Sequence, residues 1–150
     1  MNPPKARSRA MKEQDSAMFE GPVHDRLAIR ELVDSYSDAV NRRDEAAWAR
    51  CWATDATWRF HGRAIDGREA IVAAWRAAMA SYRRAWFMAY PGMIAIDGET
   101  ARMRVNTFEY LVDGNGAARL QSGLYEDRLV RHDGAWQFIE RQFSPQEMPL

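Results

Sequence analysis

After Tyr82 the chain alternates between apolar and polar side chains almost to its end. The alternating runs are Trp86–Ile96, Thr100–Val112, Ala118–Arg131 and Trp136–Phe143. They are separated by Asp97-Gly98, Asp113-Gly114-Asn115-Gly116 and Asp133-Gly134. Asp-Gly and Asn-Gly tolerate the positive φ angles that tight hairpins require, so these breaks predict an antiparallel meander of four strands. A meander buries one face only if something packs on it. The N-terminal half supplies helices for that purpose.

From about Asp25 to Arg43, the residues Leu27, Ile29, Leu32, Val33, Tyr36, Ala39 and Val40 recur at helical spacing, with charged residues on the other side. A second, shorter helix runs from Asp44, a suitable N-cap, through Trp48 to Trp52. Ala56–Phe60 reads as a short strand. Asp66-Gly67-Arg68-Glu69 reads as a capping box that opens a third helix carrying Ile71, Trp75 and Met79. The predicted order is α-α-β-α-β-β-β-β, an α+β fold with three N-terminal helices packed on a curved antiparallel sheet. Residues 23–145 make the one domain, with tails at 1–22 and 146–150; the first tail is read as flexible.

Composition narrows the function classes. The 150 residues carry zero formal net charge, which gives no electrostatic footprint for nucleic acid or an anionic membrane. The N-terminus lacks the apolar core of a secretory signal, so a cytoplasmic location is expected. Cys51 is the only cysteine, which rules out an intrachain disulfide and Cys-rich zinc sites. The three histidines show no metal-binding spacing, and the loop Gly62–Gly67 lacks the glycine pattern of a phosphate cradle. No metal and no cofactor are therefore expected.

Hairpin geometry allows a finer reading. With Asp133-Gly134 as a two-residue turn, His132 faces Ala135, and the pairs continue Leu129–Phe138, Asp127–Glu140 and Tyr125–Gln142. A turn at Gly114–Gly116 then places Arg104, Asn106, Phe108 and Tyr110 on that same face. Met103, Val105, Thr107, Leu111, Leu124, Val130, Ile139 and Phe143 fall on the opposite face. Two arrangements are open. The mixed polar and aromatic face lines a pocket while a second subunit covers the aliphatic face, or the helices cover the aliphatic face and the polar one meets water.

The stretch Tyr36-Ser-Asp-Ala-Val-Asn41-Arg-Arg-Asp44 leading to Trp52-Ala-Thr-Asp55, together with Gly123-Leu-Tyr125-Glu-Asp127 through Asp133-Gly134-Ala-Trp136, resembles the NTF2-like superfamily. Within it the chain resembles the SnoaL-like group, with its scytalone dehydratase, ketosteroid isomerase and lindane dehydrochlorinase relatives. The resemblance implies a cone-shaped pocket and a homodimer formed through the outer sheet face. It places Tyr36 where ketosteroid isomerases carry an oxyanion-hole tyrosine. Their general-base aspartate falls near Phe60. Dehydratase and dehydrochlorinase relatives keep an aspartate where Asn41 stands and a histidine where Met88-Ala-Tyr90 stands, so the familiar His–Asp dyad is missing.

The expected chemistry falls to Asp127 and Glu140. Two carboxylates roughly 5 Å apart across a hairpin cannot both ionise cheaply, which suits an acid/base pair. Arg104 can instead neutralise Asp127. His61 at the pocket rim is a further base, and Tyr36 or Arg104 an oxyanion stabiliser. Asn41, Trp48, Phe60, Tyr90, Asn106, Phe108, Tyr110, Tyr125 and Phe138 complete the expected substrate-binding set. The reading is a cofactor-independent lyase or isomerase for a small apolar, aromatic or polycyclic molecule. A non-catalytic accessory subunit, as in ring-hydroxylating oxygenases, and a polyketide cyclase or epoxide hydrolase of the same fold are the alternatives.

Overall fold

A computed structural model of the chain describes residues 18–146. Its elements are β1 (Phe19–Glu20), α1 (Val23–Arg42), α2 (Glu45–Arg50), β2 (Trp52–Phe60), β3 (Arg63–Asp66), α3 (Arg68–Ala80), β4 (Tyr82–Asp97), β5 (Thr100–Asp113), β6 (Ala118–His132) and β7 (Ala135–Gln146). One seven-stranded sheet runs β1-β4-β5-β6-β7-β2-β3. The meander β4–β7 is antiparallel, and β2 joins its far edge parallel to β7. The α+β prediction holds, with two strands more than expected. β3 forms where a loop was read, because His61 and Gly62 both take positive φ in a tight turn that returns the chain along β2. β1, inside the expected N-terminal tail, pairs in parallel with β4 through Phe19 and Ile94. Residues 1–17 of that tail lie outside the described residues, as do 147–150 of the expected C-terminal tail, whose first residue, Gln146, ends β7.

The helices cover one face of the sheet. α1 buries Ile29, Val33, Tyr36, Ala39 and Val40 against it, whereas Leu27, grouped with them by spacing, is exposed. Asp44 caps α2 by accepting from the Ala47 amide at 2.9 Å. Asp66 does not cap α3; its carboxylate takes the Thr57 hydroxyl at 2.8 Å, and Gly67 is the N-cap. Trp48, Trp52 and Trp75 fill the space between helices and sheet, with Trp48 stacked on Trp75 at 4.9 Å. Asp25, buried at the start of α1, accepts from Arg131 at 2.7 Å and Trp136 at 3.3 Å, tying the helix to the β6–β7 end of the sheet. Among the described residues no helix is long and apolar enough to cross a membrane.

Register decides which side chains the helices cover. Asp133 and Gly134 both have positive φ, and His132 faces Ala135 as predicted. Leu129 also faces Phe138, but Ile139 is then an extra residue on β7. Beyond this bulge Asp127 faces Arg141, Arg128 faces Glu140, and Tyr125 faces Phe143. The expected facing requires an even number of residues in the β5–β6 turn, and the turn has three, Gly114–Gly116. Asp113 bonds Ala117, its carboxylate takes the amides of Asn115 and Ala117, and Gly116 supplies the positive φ. An odd loop reverses the expected parity. Met103, Val105, Thr107, Glu109 and Leu111 share the covered face with Tyr125 and Asp127, while Arg104, Asn106, Phe108 and Tyr110 lie on the outer face.

The sheet must also leave room for Phe143, and it does so at Gly123. A Cβ there would overlap the Phe143 ring and press on the Thr107 hydroxyl. Gly123→Ala is expected to destabilise the fold by about 1–3 kcal/mol, measured by chemical denaturation.

Candidate functional site

Between α1, α3 and the covered face of the sheet lies a cavity of about 260 Å³. Its walls are mostly apolar, with Trp58, Phe60, Phe87, Leu111 and Phe143 among them. Into it turn two phenols, Tyr36 and Tyr125, one carboxyl, Glu109, and at the more exposed end Arg119, Gln121 and His61. Apolar walls with a few convergent polar groups are the usual make-up of a small-molecule site.

The floor is organised by a buried ion pair. Arg141 lies across Asp127 in a two-point contact at 2.9 and 3.0 Å, both side chains having essentially no exposure. The guanidinium sits 3.8 Å from the Tyr125 ring centroid, 4.1 Å from that of Phe138 and 4.5 Å from that of Tyr36. Burial pushes the Asp127 carboxyl up, and the guanidinium opposes that; with both oxygens bonded, the pair is ionised at neutral pH. Asp127 is thus a structural counter-ion to Arg141 and not one half of a carboxylate pair. Glu140 lies on the other side of the strand, within 4.0 Å of both Arg59 and Arg128.

Above this floor the phenols are nearly sealed, Tyr36 being 3% and Tyr125 5% exposed. Trp58 Nε1 donates to the Tyr125 hydroxyl oxygen at 3.3 Å, which leaves the hydroxyl hydrogen free for a ligand. Burial pushes both phenols up, Tyr125 to about 12, against the lowering effect of Arg141. They are neutral hydrogen-bond donors over the physiological range. Glu109 behaves differently. Burial pushes its carboxyl to about 7, and Arg119 only partly offsets this. It has no ion-pair or hydrogen-bond partner among the described residues, so it changes charge near neutrality inside the cavity.

The remaining expected site residues divide cleanly. Tyr36, Tyr125, Phe60 and His61 line the cavity. Trp48 and Phe138 are fully buried beneath it. Arg104, Asn106 and Tyr110 are exposed on the outer face, Phe108 is half-buried there, and Tyr90 is 60% exposed. Glu109, which sequence reasoning passed over, carried a legible signal: it shares strand parity with Met103, Val105, Thr107 and Leu111, an acid on an apolar face.

The SnoaL-like domain family matches residues 22–142, most of the chain. This chain belongs to that family. An uncharacterized protein of Mycobacterium tuberculosis, Rv2910c, is 31% identical over 134 residues, spanning 84% of this chain and 88% of that one. Among solved structures, a candidate scytalone dehydratase of Novosphingobium aromaticivorans superposes with a TM-score of 0.78 at 17% identity, covering 83% of this chain and 86% of that one. A hexachlorocyclohexane dehydrochlorinase, LinA type 2, gives 0.74 at 19% identity, covering 83% and 90%. At such identities the likeness is one of fold, and a SnoaL-like fold does not itself name a reaction.

At the place where the dehydratase resemblance expects a carboxylate, this SnoaL-like chain uses an amide for structure. Asn41 donates to the Phe87 carbonyl at 3.0 Å and accepts from the Phe87 amide at 2.7 Å, clamping the end of α1 to β4. Met88 stands next to that clamp and lies on the outer face opposite Phe108.

Two stability measurements separate the carboxyls. Asp127→Asn leaves the Arg141 charge buried with a weakened partner and is expected to cost about 3–5 kcal/mol by denaturation at pH 7. Glu109 has a raised pKa in the folded state, so its contribution to stability is largest below the unfolded value and is lost as pH rises through about 7. Removing it should abolish about 2–3 kcal/mol of stability loss between pH 4.5 and 8, seen as a flatter Tm profile for Glu109→Gln.

Proposed function

We propose that this SnoaL-like protein is a cofactor-independent lyase or isomerase that moves a proton on a small, largely apolar molecule held in the cavity. The observation that carries this reading is the Glu109 carboxyl, titrating at about 7 within an apolar cavity lined by two phenols. A base works best when its pKa lies near the working pH, and burial brings Glu109 there. The substrate carries a carbonyl oxygen hydrogen-bonded by Tyr36 and Tyr125. Glu109 takes the proton from the adjacent carbon, the electron pair of that C–H bond forms a C=C bond, and the carbonyl π pair moves onto the oxygen, where the phenols stabilise the enolate. The proton then returns to another carbon, giving an isomer. Alternatively the oxygen pair re-forms the carbonyl, the C=C bond shifts to the β carbon and the β-substituent leaves with its bonding electrons, giving an alkene. In that case Glu109 passes its proton to the leaving group or to solvent. Loss of a β-substituent is the kind of net change named in the dehydratase and dehydrochlorinase that share the fold, and this lends support to the lyase form of the reading.

A test that needs no natural substrate is deuterium exchange of 2-tetralone in D₂O, followed by proton NMR. The wild-type chain is expected to accelerate exchange with a rate that rises with pH to a plateau above about 7. Glu109→Gln should lose about 10²-fold or more, and Tyr125→Phe a smaller factor. Exchange by Glu109→Gln at the wild-type rate would remove Glu109 from the mechanism.

The reading includes a homodimer. On the outer face Trp86, Tyr110 and Leu120 lie in one cross-strand row and are 48%, 39% and 59% exposed, an apolar patch that a second copy would cover. Sedimentation should give a dimer for the wild type and a monomer for Trp86→Asp; a monomeric wild type would reject this part.

A further inference from the structure

The exposed end of the cavity carries a charge that the proton-transfer reading does not use. Arg119 lines the cavity and projects from the covered face of β6, directly opposite Leu111. One of its N–H groups, on Nη2, donates to the Tyr82 hydroxyl at 2.8 Å, and the guanidinium lies 5.9 Å from the Tyr82 ring centroid. This fixes the direction of the side chain without neutralising it. Among the described residues no carboxylate lies within ion-pair distance of it. Glu109 sits directly opposite Gln121, one step along from Arg119. Such diagonal neighbours are roughly 7–8 Å apart at Cα, within reach of long side chains; here the guanidinium is turned to the Tyr82 hydroxyl instead and acts on Glu109 only through its field. Glu109, Arg119 and Gln121 all line the cavity.

We infer that Arg119 and Gln121 form a carboxylate subsite at the mouth of the cavity, so that the molecule bound there is an apolar ring system bearing one carboxylate. This rests on the reading of the cavity as a small-molecule site. Guanidinium presents a planar fork that matches a carboxylate, and the Gln121 amide adds a neutral donor. Charge count selects a monoanion. One cation balances one carboxylate, whereas a phosphate dianion would leave surplus negative charge beside Glu109. The apolar body then extends inward past Leu111 and Phe87 towards the phenols. His61, on the β2–β3 turn, borders the same mouth and adds no negative charge to it.

The experiment is calorimetric titration of the full chain at pH 6 with 4-ethylbenzoate and with 4-ethylbenzamide, an uncharged analogue of the same shape. The wild type is expected to bind the acid about 10-fold more tightly, the scale of a charge-assisted hydrogen bond. Arg119→Met should lose that preference while binding the amide as the wild type does, which also shows that the cavity is intact. Glu109→Gln should keep the preference. Equal affinities in the wild type, or a preference that survives Arg119→Met, would overturn the subsite; if tetralone exchange still depends on Glu109, the proton-transfer reading stands without it. Failure of the wild type to bind either compound at millimolar concentration would reject the subsite and the small-molecule cavity together.

Discussion

The Arg141–Asp127 pair sits where β6, β7 and α1 meet, and the floor of the cavity is built on it. Taking two charges out of water costs several kcal/mol per ion, and the attraction between them offsets this only when the geometry is good. Here it is good on every side. The carboxylate is held at two points, and three aromatic rings from three elements close over the guanidinium. Two of those rings, Tyr36 and Tyr125, are the phenols that face the cavity. The pair therefore sets where the cavity ends and which way its donors point.

Two buried carboxyls on the same sheet face have opposite fates, and the difference is the partner. Asp127 is desolvated more completely, yet it has a cation in direct contact and stays ionised. Glu109 is less deeply buried, but its nearest cation stands a diagonal away, so its carboxyl moves to about 7. A structural acid needs the first environment and a proton-transfer group the second. A carboxyl raised in this way costs the folded state stability at neutral pH, a cost consistent with the proton-transfer role proposed for Glu109.

The SnoaL-like fold accommodates this with no aspartate at position 41 and no histidine at positions 88–90. Asn41 spends both ends of its amide on the backbone of Phe87, so the end of α1 contributes a clamp where the sequence resemblance predicts a carboxylate. In the proposed reading the polar groups facing the cavity come from α1, β5 and β6: Tyr36, Glu109 and Tyr125. A fold whose walls are long strands can do this easily, because any inward-facing strand position can carry a functional side chain.

Much of the architecture was legible in the chain: helices from apolar spacing, the meander from Asp-Gly breaks, the family from Tyr36–Asp44 and Gly123–Trp136. The Asp133-Gly134 hairpin was legible down to the pair Leu129 and Phe138. What failed was parity. Ile139 bulges out of β7, and the Asp113–Ala117 turn closes three residues where the expected facing requires an even number. Each event shifts the register by one, and with a period of two that exchanges inward and outward sets wholesale, sending Glu140 and Arg104 outside and bringing Arg141 and Glu109 in. Local chemistry decides that a turn or strand forms, so the sequence alone determined the elements and their order. Whether a bulge forms is settled by what the covered face can bury. Only the packed structure could decide that Arg141 rather than Glu140 would meet Asp127.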